Sequence, residues 1–162
     1  TSLDAFTWAP ADAVATLGSV PGVVETADGS LFISYVDFNW STCTTDATTL
    51  CIGSRFKATV DWSTSQGGGR SGPGQAVPLW PSGLASGGAF WFFDGDNPEL
   101  LVKVVDGCAL NGHHWLFASA GTNVGFTLAV TDTTTGQTRT YENLDLTPAV
   151  PVQDTSAFDT CP

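Results

Sequence analysis

The sequence predicts an all-β fold, an antiparallel β-sandwich of about eight or nine strands with an N-terminal arm. Three observations carry that expectation. Hydrophobic residues make up 42% of the 162-residue chain and charged residues only 13%, too few for the polar faces of long helices. The 18 Gly and 9 Pro punctuate short apolar segments. Within those segments apolar and polar residues alternate with the period of two that a half-buried strand requires.

Along the chain, residues 1–40 form an arm distinct from the module at 41–162. In the arm, residues 10–17 read as a short helical stretch closed by Gly18, and Pro21-Gly22 breaks the chain. The runs at 23–26 and 31–40 read as strands joined by an Asp28-Gly29 turn. In the second run Phe32, Val36, Phe38 and Trp40 share one parity and make an aromatic face.

From Cys51 the alternation is clean. Phe56, Ala58, Val60 and Trp62 interleave with Arg55, Lys57, Thr59 and Asp61, so one face of this strand meets the core and the other meets water. Residues 65–74, SQGGGRSGPG, form a loop or hairpin tip, and 75–80 a short strand ended by Pro81. The unbroken run at 89–93, AFWFF, suits a strand buried on both faces. After a turn at 94–98, Leu100, Val102 and Val104 alternate along the next strand. Asn111-Gly112 predicts a tight hairpin turn into 113–119, and Phe126, Leu128 and Val130 face inward in 124–131. Residues 132–136 turn the chain into 137–142, and the tail from 146 is extended. The expected core therefore includes Phe56, Val60, Trp62, Phe92, Val102, Val104, Phe126, Leu128 and Val130.

The formal net charge is −11, with only Arg55, Lys57, Arg70, Lys103 and Arg139 as basic side chains. Five cations cannot neutralise a row of phosphates, which argues against nucleic acid and anionic membrane surfaces as partners. No apolar run reaches the roughly 18 residues that a membrane span needs. The lack of a basic, apolar leader before Thr1 fits a chain from which a signal peptide has been removed.

Four cysteines without a CxxC motif point to disulfides rather than zinc or redox chemistry. Cys43 and Cys51 bracket a Thr-rich loop and are natural partners, which leaves Cys108 for Cys161. Four cysteines allow three pairings, and this one is an inference from spacing. Such usage implies a secreted, extracellular protein at the cell surface or in a matrix.

The stretch FWFFDGDNPELLVKVVDGCALNGHHWLF at 90–117 and the VTDTTTG segment at 130–136 carry a resemblance. Leu50-Cys51 with Arg55-Phe56 stands upstream, and Asp154-Thr155, Ala157-Phe158 and Cys161 stand downstream. Together these resemble a recurring bacterial secreted β-sandwich module of unknown function, over residues 43–161. The resemblance implies the fold and location and carries no catalytic residues. The arm lies outside it.

Candidate sites are few. His113-His114 are adjacent, so on a strand they point to opposite faces and do not readily share a metal ion. Asp94, Asp96, Asn97 and Glu99 place hard oxygen ligands of the kind calcium takes within one loop, although without EF-hand spacing and among ordinary turn residues. Gly67-Gly68-Gly69-Arg70 lacks the Lys-Ser/Thr and helix of a phosphate loop and reads as a plain loop. No GxSxG or triad context is present, and Glu25, Glu99 and Glu142 are too few to point to a paired-carboxylate hydrolase. Trp62, Trp91 and Trp115 sit in strand patterns and read as core. Trp8, Trp40 and Trp80 stand at segment ends, where a sugar-stacking platform would be exposed. Asn39-Trp40-Ser41 is a glycosylation sequon, and the Thr-rich loop at 42–49 could carry O-linked sugar.

These readings favour a non-catalytic role with no cofactor beyond the calcium just considered. The arm carries Leu3, Phe6, Trp8, Val14, Leu17 and Val20, too apolar to hang in water without a partner surface. A secreted β-domain with such an arm can lend a strand to a neighbour's sheet, giving a homo-oligomer or filament of structural or adhesive subunits. The alternative is a carbohydrate- or surface-binding module.

Overall fold

The computed structural model describes residues 20–25, 31–36, 43–78 and 86–162. The chain divides into two compact units, Thr1–Trp40 and Ser41–Pro162. In the first, β1 (Val20–Glu25) and β2 (Leu31–Val36) form an antiparallel two-stranded sheet, with Val20 opposite Val36 and Glu25 opposite Leu31. Pro21-Gly22 was expected to break the chain here but lies inside β1. A two-stranded sheet is all edge, where a residue without an N–H is tolerated. The helical stretch expected at 10–17 and the turn at 28–29 lie outside the described residues.

In the second unit the strands are β3 (Leu50–Ile52), β4 (Phe56–Thr64), β5 (Arg70–Pro73), β6 (Gln75–Pro78), β7 (Gly87–Trp91) and β8 (Pro98–Asp106). A short helix α1 (Cys108–Asn111) follows, then β9 (His114–Ala120), β10 (Gly125–Asp132), β11 (Thr138–Asn143) and β12 (Val152–Phe158). They build two antiparallel five-stranded sheets, as expected of an all-β sandwich. One has the order β11-β10-β4-β3, with β5 also paired to β4, and the other has the order β12-β9-β8-β7-β6.

Register explains the core. Phe126 opposes Trp62, Leu128 opposes Val60 and Val130 opposes Ala58, so the even positions of β4 and β10 face the other sheet together. Leu100, Val102 and Val104 of β8 and Leu116 and Ala118 of β9 meet them from the second sheet, with Phe90, Phe92 and Phe158 filling between. All nine expected core residues are buried except Phe126, which is half-buried at the sheet end and packs 6.2 Å from the Phe92 ring. Close approach of the sheets' edges requires Gly88, where a Cβ would stand 2.5 Å from Leu50 Cδ1.

Two aromatic expectations change. Trp91 and Trp115 are half-buried rather than core. Odd positions of β9 face away from the sandwich interior, and Trp115 lies flat on Gly107, where a Cβ would come within 2.3 Å of the indole. Asn111-Gly112 does not make a hairpin turn. It ends α1, with Gly112 in the left-handed region (φ 74°) and its N–H donating to Cys108 O at 3.1 Å.

The border strands β11 and β12, one from each sheet, are stitched by side chains. Arg139 Nε donates to Ala157 O, Tyr141 Oη donates to Asp154 Oδ2 at 2.9 Å, and Gln137 Nε2 donates to Asp159 Oδ1 at 3.0 Å. Phe158 on β12 is fully buried against Phe56, 5.1 Å between ring centroids. Phe158→Ala should cost about 3–5 kcal/mol in urea unfolding, whereas Leu110→Ala should stay within about 0.5 kcal/mol. Leu110 is 76% exposed, so equal losses would mean that the inward face is misassigned.

Candidate functional site

Both disulfides form as spacing suggested, Cys43–Cys51 and Cys108–Cys161. Two intramolecular disulfides are more typical of extracellular proteins than of cytosolic ones. Cys108, Cys161 and His114 bring their sulfur and nitrogen atoms within 4.8 Å of one another, the one such cluster among the described residues. Both sulfurs are consumed by the disulfide, so the cluster as it stands presents a single imidazole and no thiolate. His113 and His114 diverge as strand geometry requires. His113 Nδ1 meets Asn111 O at 2.8 Å, while His114 is buried 5.1 Å from the Phe56 ring. Burial, reinforced by the Arg55 charge, pushes the His114 pKa below its ordinary value against the opposing pull of Asp106 and Asp132.

Beside this cluster lies a polar knot. Arg55 grips Asp132 with two hydrogen bonds, Nε to Oδ1 at 2.9 Å and Nη2 to Oδ2 at 2.7 Å, and also donates to Thr160 O. Asp132 is fully buried. Burial raises its pKa, but the Arg55 hydrogen bonds lead the opposing contributions, and the carboxyl settles at about 2. The Thr133 amide and hydroxyl both donate to Arg55 O, at 2.9 and 2.6 Å. This arrangement holds chain segments together.

The loop expected for calcium does not gather its carboxylates. Asp94 Oδ1 accepts the Asp96 N–H at 3.2 Å, an Asx turn, and Asn97 Nδ2 donates to Glu99 Oε1 at 2.6 Å. Asp94, Asp96 and Glu99 form no three-ligand cluster among the described residues. Of the hydrolase candidates, Glu99 and Glu142 line separate clefts, and Glu25 falls in the other unit.

The cleft at Glu142 is a shelf of about 370 Å³ that also holds Asp61 and Asp145. Asp145 Oδ2 accepts the Ser65 N–H and hydroxyl, both at 2.7 Å, and these hold its pKa at about 2. The cleft at Glu99 is larger, about 450 Å³, and lies where β4 ends and β8 begins. Its walls come from Thr64, Gln66, Arg70, Phe93, Glu99 and Asn123. Gly67, Gly68 and Gly69 have φ of 62°, 95° and 80°, conformations that side chains resist, and they carry the chain around to present Arg70. Arg70 stacks 5.0 Å from the Phe93 ring centroid.

In the sequence Arg70 is a plain loop residue and Glu99 belongs to the calcium loop, and nothing local places them in one cleft. The available signal was a solitary cation in a glycine run. Of the arm residues, Leu3, Phe6, Trp8, Val14 and Leu17 lie outside the described residues, as do Trp40, Trp80 and the sequon at Asn39. Val20 opens β1. Comparison with family models, with curated proteins and with solved structures finds no match.

Asp132 ionises more readily folded than unfolded, so its contribution to stability is complete above the unfolded value near pH 4. It is lost as pH falls through about 2. Asp132→Asn should cost about 3 kcal/mol at pH 7, because Arg55 is left without its carboxylate. The stability loss between about pH 4 and pH 2 should become shallower in that variant. Denaturant titrations across pH check both, and an unchanged slope in that window would remove Asp132 from the account.

Proposed function

We propose that this protein is an extracellular structural or adhesive subunit whose N-terminal unit extends the sheet of a neighbouring subunit. One observation carries the reading. Among the described residues the β1–β2 pair is a sheet of two strands, and a pair of that kind is marginal in water without a third strand or a packing surface. Among the described residues its outer edges carry no further strand, so their backbone N–H and C=O groups suit strand addition by a neighbour. A contact of this head-to-tail type need not close, so it propagates into a filament.

A second reading, a carbohydrate-binding module, draws on the cleft at Glu99, where charged and amide side chains converge beside an aromatic ring. Exposure of Leu101 and Val77 on the outer face of the second sheet suits either role.

Sedimentation and negative-stain microscopy decide the first reading. The full chain should form oligomers or filaments. Ile33→Pro, which removes a backbone donor in β2, and deletion of residues 1–40 should each leave a monomer in which the backbone amide shifts of residues 43–162 persist. A full-length chain that stays monomeric at high concentration, or a deletion variant that assembles equally well, overturns the proposal.

A further inference from the structure

The cleft between the β4–β5 loop and the start of β8 carries an inference that rests on the second reading above and gives it a site. We propose that Arg70 and Glu99 bind a neutral oligosaccharide there, the guanidinium donating to ring and hydroxyl oxygens and the carboxylate accepting from sugar hydroxyls.

The argument begins with Arg70. Among the described residues the sole ion pair is Arg55–Asp132, so Arg70 lines the cleft with no carboxylate against it. Its guanidinium lies 5.0 Å from the Phe93 centroid and 6.0 Å from that of Trp62. Those rings meet edge to face at 4.7 Å, and Trp62 is itself buried. Contact with aromatic rings restrains the exposed guanidinium, and among the described residues none of its N–H donors is engaged. The result is a pre-oriented donor fork at the mouth of a cavity.

Glu99 supplies the complementary half. It is only 7% exposed, yet it lines the same cleft, and Asn97 engages just one of its oxygens. Carboxylates so nearly buried are rare unless paired, and among the described residues no cation pairs with it. Between them, Gln66 Nε2 donates to Asn123 Oδ1 at 3.3 Å, and Thr64 Oγ1 accepts the Gln66 N–H at 3.2 Å. The Asn123 amide N–H groups remain to donate, whereas the Thr64 hydroxyl is engaged by Asp145.

Ligand class follows from that inventory. An anion would meet one cation, a buried carboxylate and a protein of net charge −11, so its approach is opposed. A cation would meet Arg70. An apolar ligand would strip water from both charges without replacing it. A hydroxyl both donates and accepts, so a run of sugar hydroxyls satisfies the fork and the carboxylate at once. A volume of about 450 Å³ falls within the range of small-molecule sites and admits a short oligosaccharide segment.

The test titrates the full chain, followed by backbone amide chemical shifts, with millimolar maltohexaose, cellohexaose, xylohexaose and mannohexaose, and with oligogalacturonate as the anionic probe. At least one neutral probe should shift the amides of Gly67–Gly69, Arg70 and Asn123. Arg70→Ala, Glu99→Gln and Arg70→Lys should each weaken it about tenfold, the last because an ammonium lacks the planar fork. Unchanged shifts elsewhere in each variant show that the fold persists. Neutral-sugar binding that survives Arg70→Ala and Arg70→Lys overturns this site while sparing the carbohydrate reading. Preference for oligogalacturonate overturns the ligand class. No binding of any sugar overturns both this site and the reading on which it rests.

Discussion

The pairing of Arg55 with Asp132 is the constraint on which the sandwich unit depends. Asp132 is fully buried, and an unpaired charge there would be prohibitive. The planar guanidinium meets both carboxylate oxygens and still reaches Thr160 O, 105 residues away in sequence. One side chain thereby joins the β3–β4 turn, the end of β10 and the C-terminal tail. Phe56, next to Arg55, enters the core against His114 and Phe158. Cys161, next to Thr160, is bridged to Cys108 beside that same histidine. The end of the sandwich is thus closed by charge, by aromatic packing and by a covalent link within a few residues of one another.

The cleft at Glu99 lies at the opposite end of β4 from the knot. β4 runs from the knot at Phe56 to the cleft at Thr64, and β8 runs from the cleft at Glu99 back toward His114, which pairs with Asp106. Loops on a rigid scaffold are where binding is generally found, and the glycine run before Arg70 is such a loop. The five cations divide accordingly. Arg55 serves the knot, Arg139 stitches β11 to β12, Lys103 rests 5.0 Å above Phe117, and Lys57 sits on the exposed side of β4. Arg70 lines the cleft at Glu99 with no ion pair among the described residues.

The motif residues singled out in the sequence are for the most part this frame. Arg55, Phe56 and Asp132 belong to the knot, Asp154 accepts from Tyr141, and Phe158 and Cys161 close the tail. A pattern built of such residues specifies a fold and is silent about ligands, which is why function has to be argued from the cleft and from the N-terminal sheet instead.

Sequence by itself determined the fold class and most of the core, and its spacing pointed to the two disulfides that the structure shows. Period-two alternation in β4, β8 and β10 assigns inward faces without knowledge of neighbours, and cysteine spacing is local for one bridge and leaves the other by elimination. Tertiary structure alone decided the rest. Trp91 and Trp115 have strand-like surroundings in sequence, but which side of a strand faces the opposite sheet depends on register with partners distant in the chain. Asn111-Gly112 carries the same signal as a hairpin turn and a helix cap, and the preceding disulfide-bonded turn selects the cap. Arg70 and Glu99 lie 29 positions apart on different sheets and look like unrelated loop residues until β4 and β8 bring their ends together. Local patterns encode which face of an element is apolar. Convergence of polar side chains is a property of the packed sheets, and no local pattern records it.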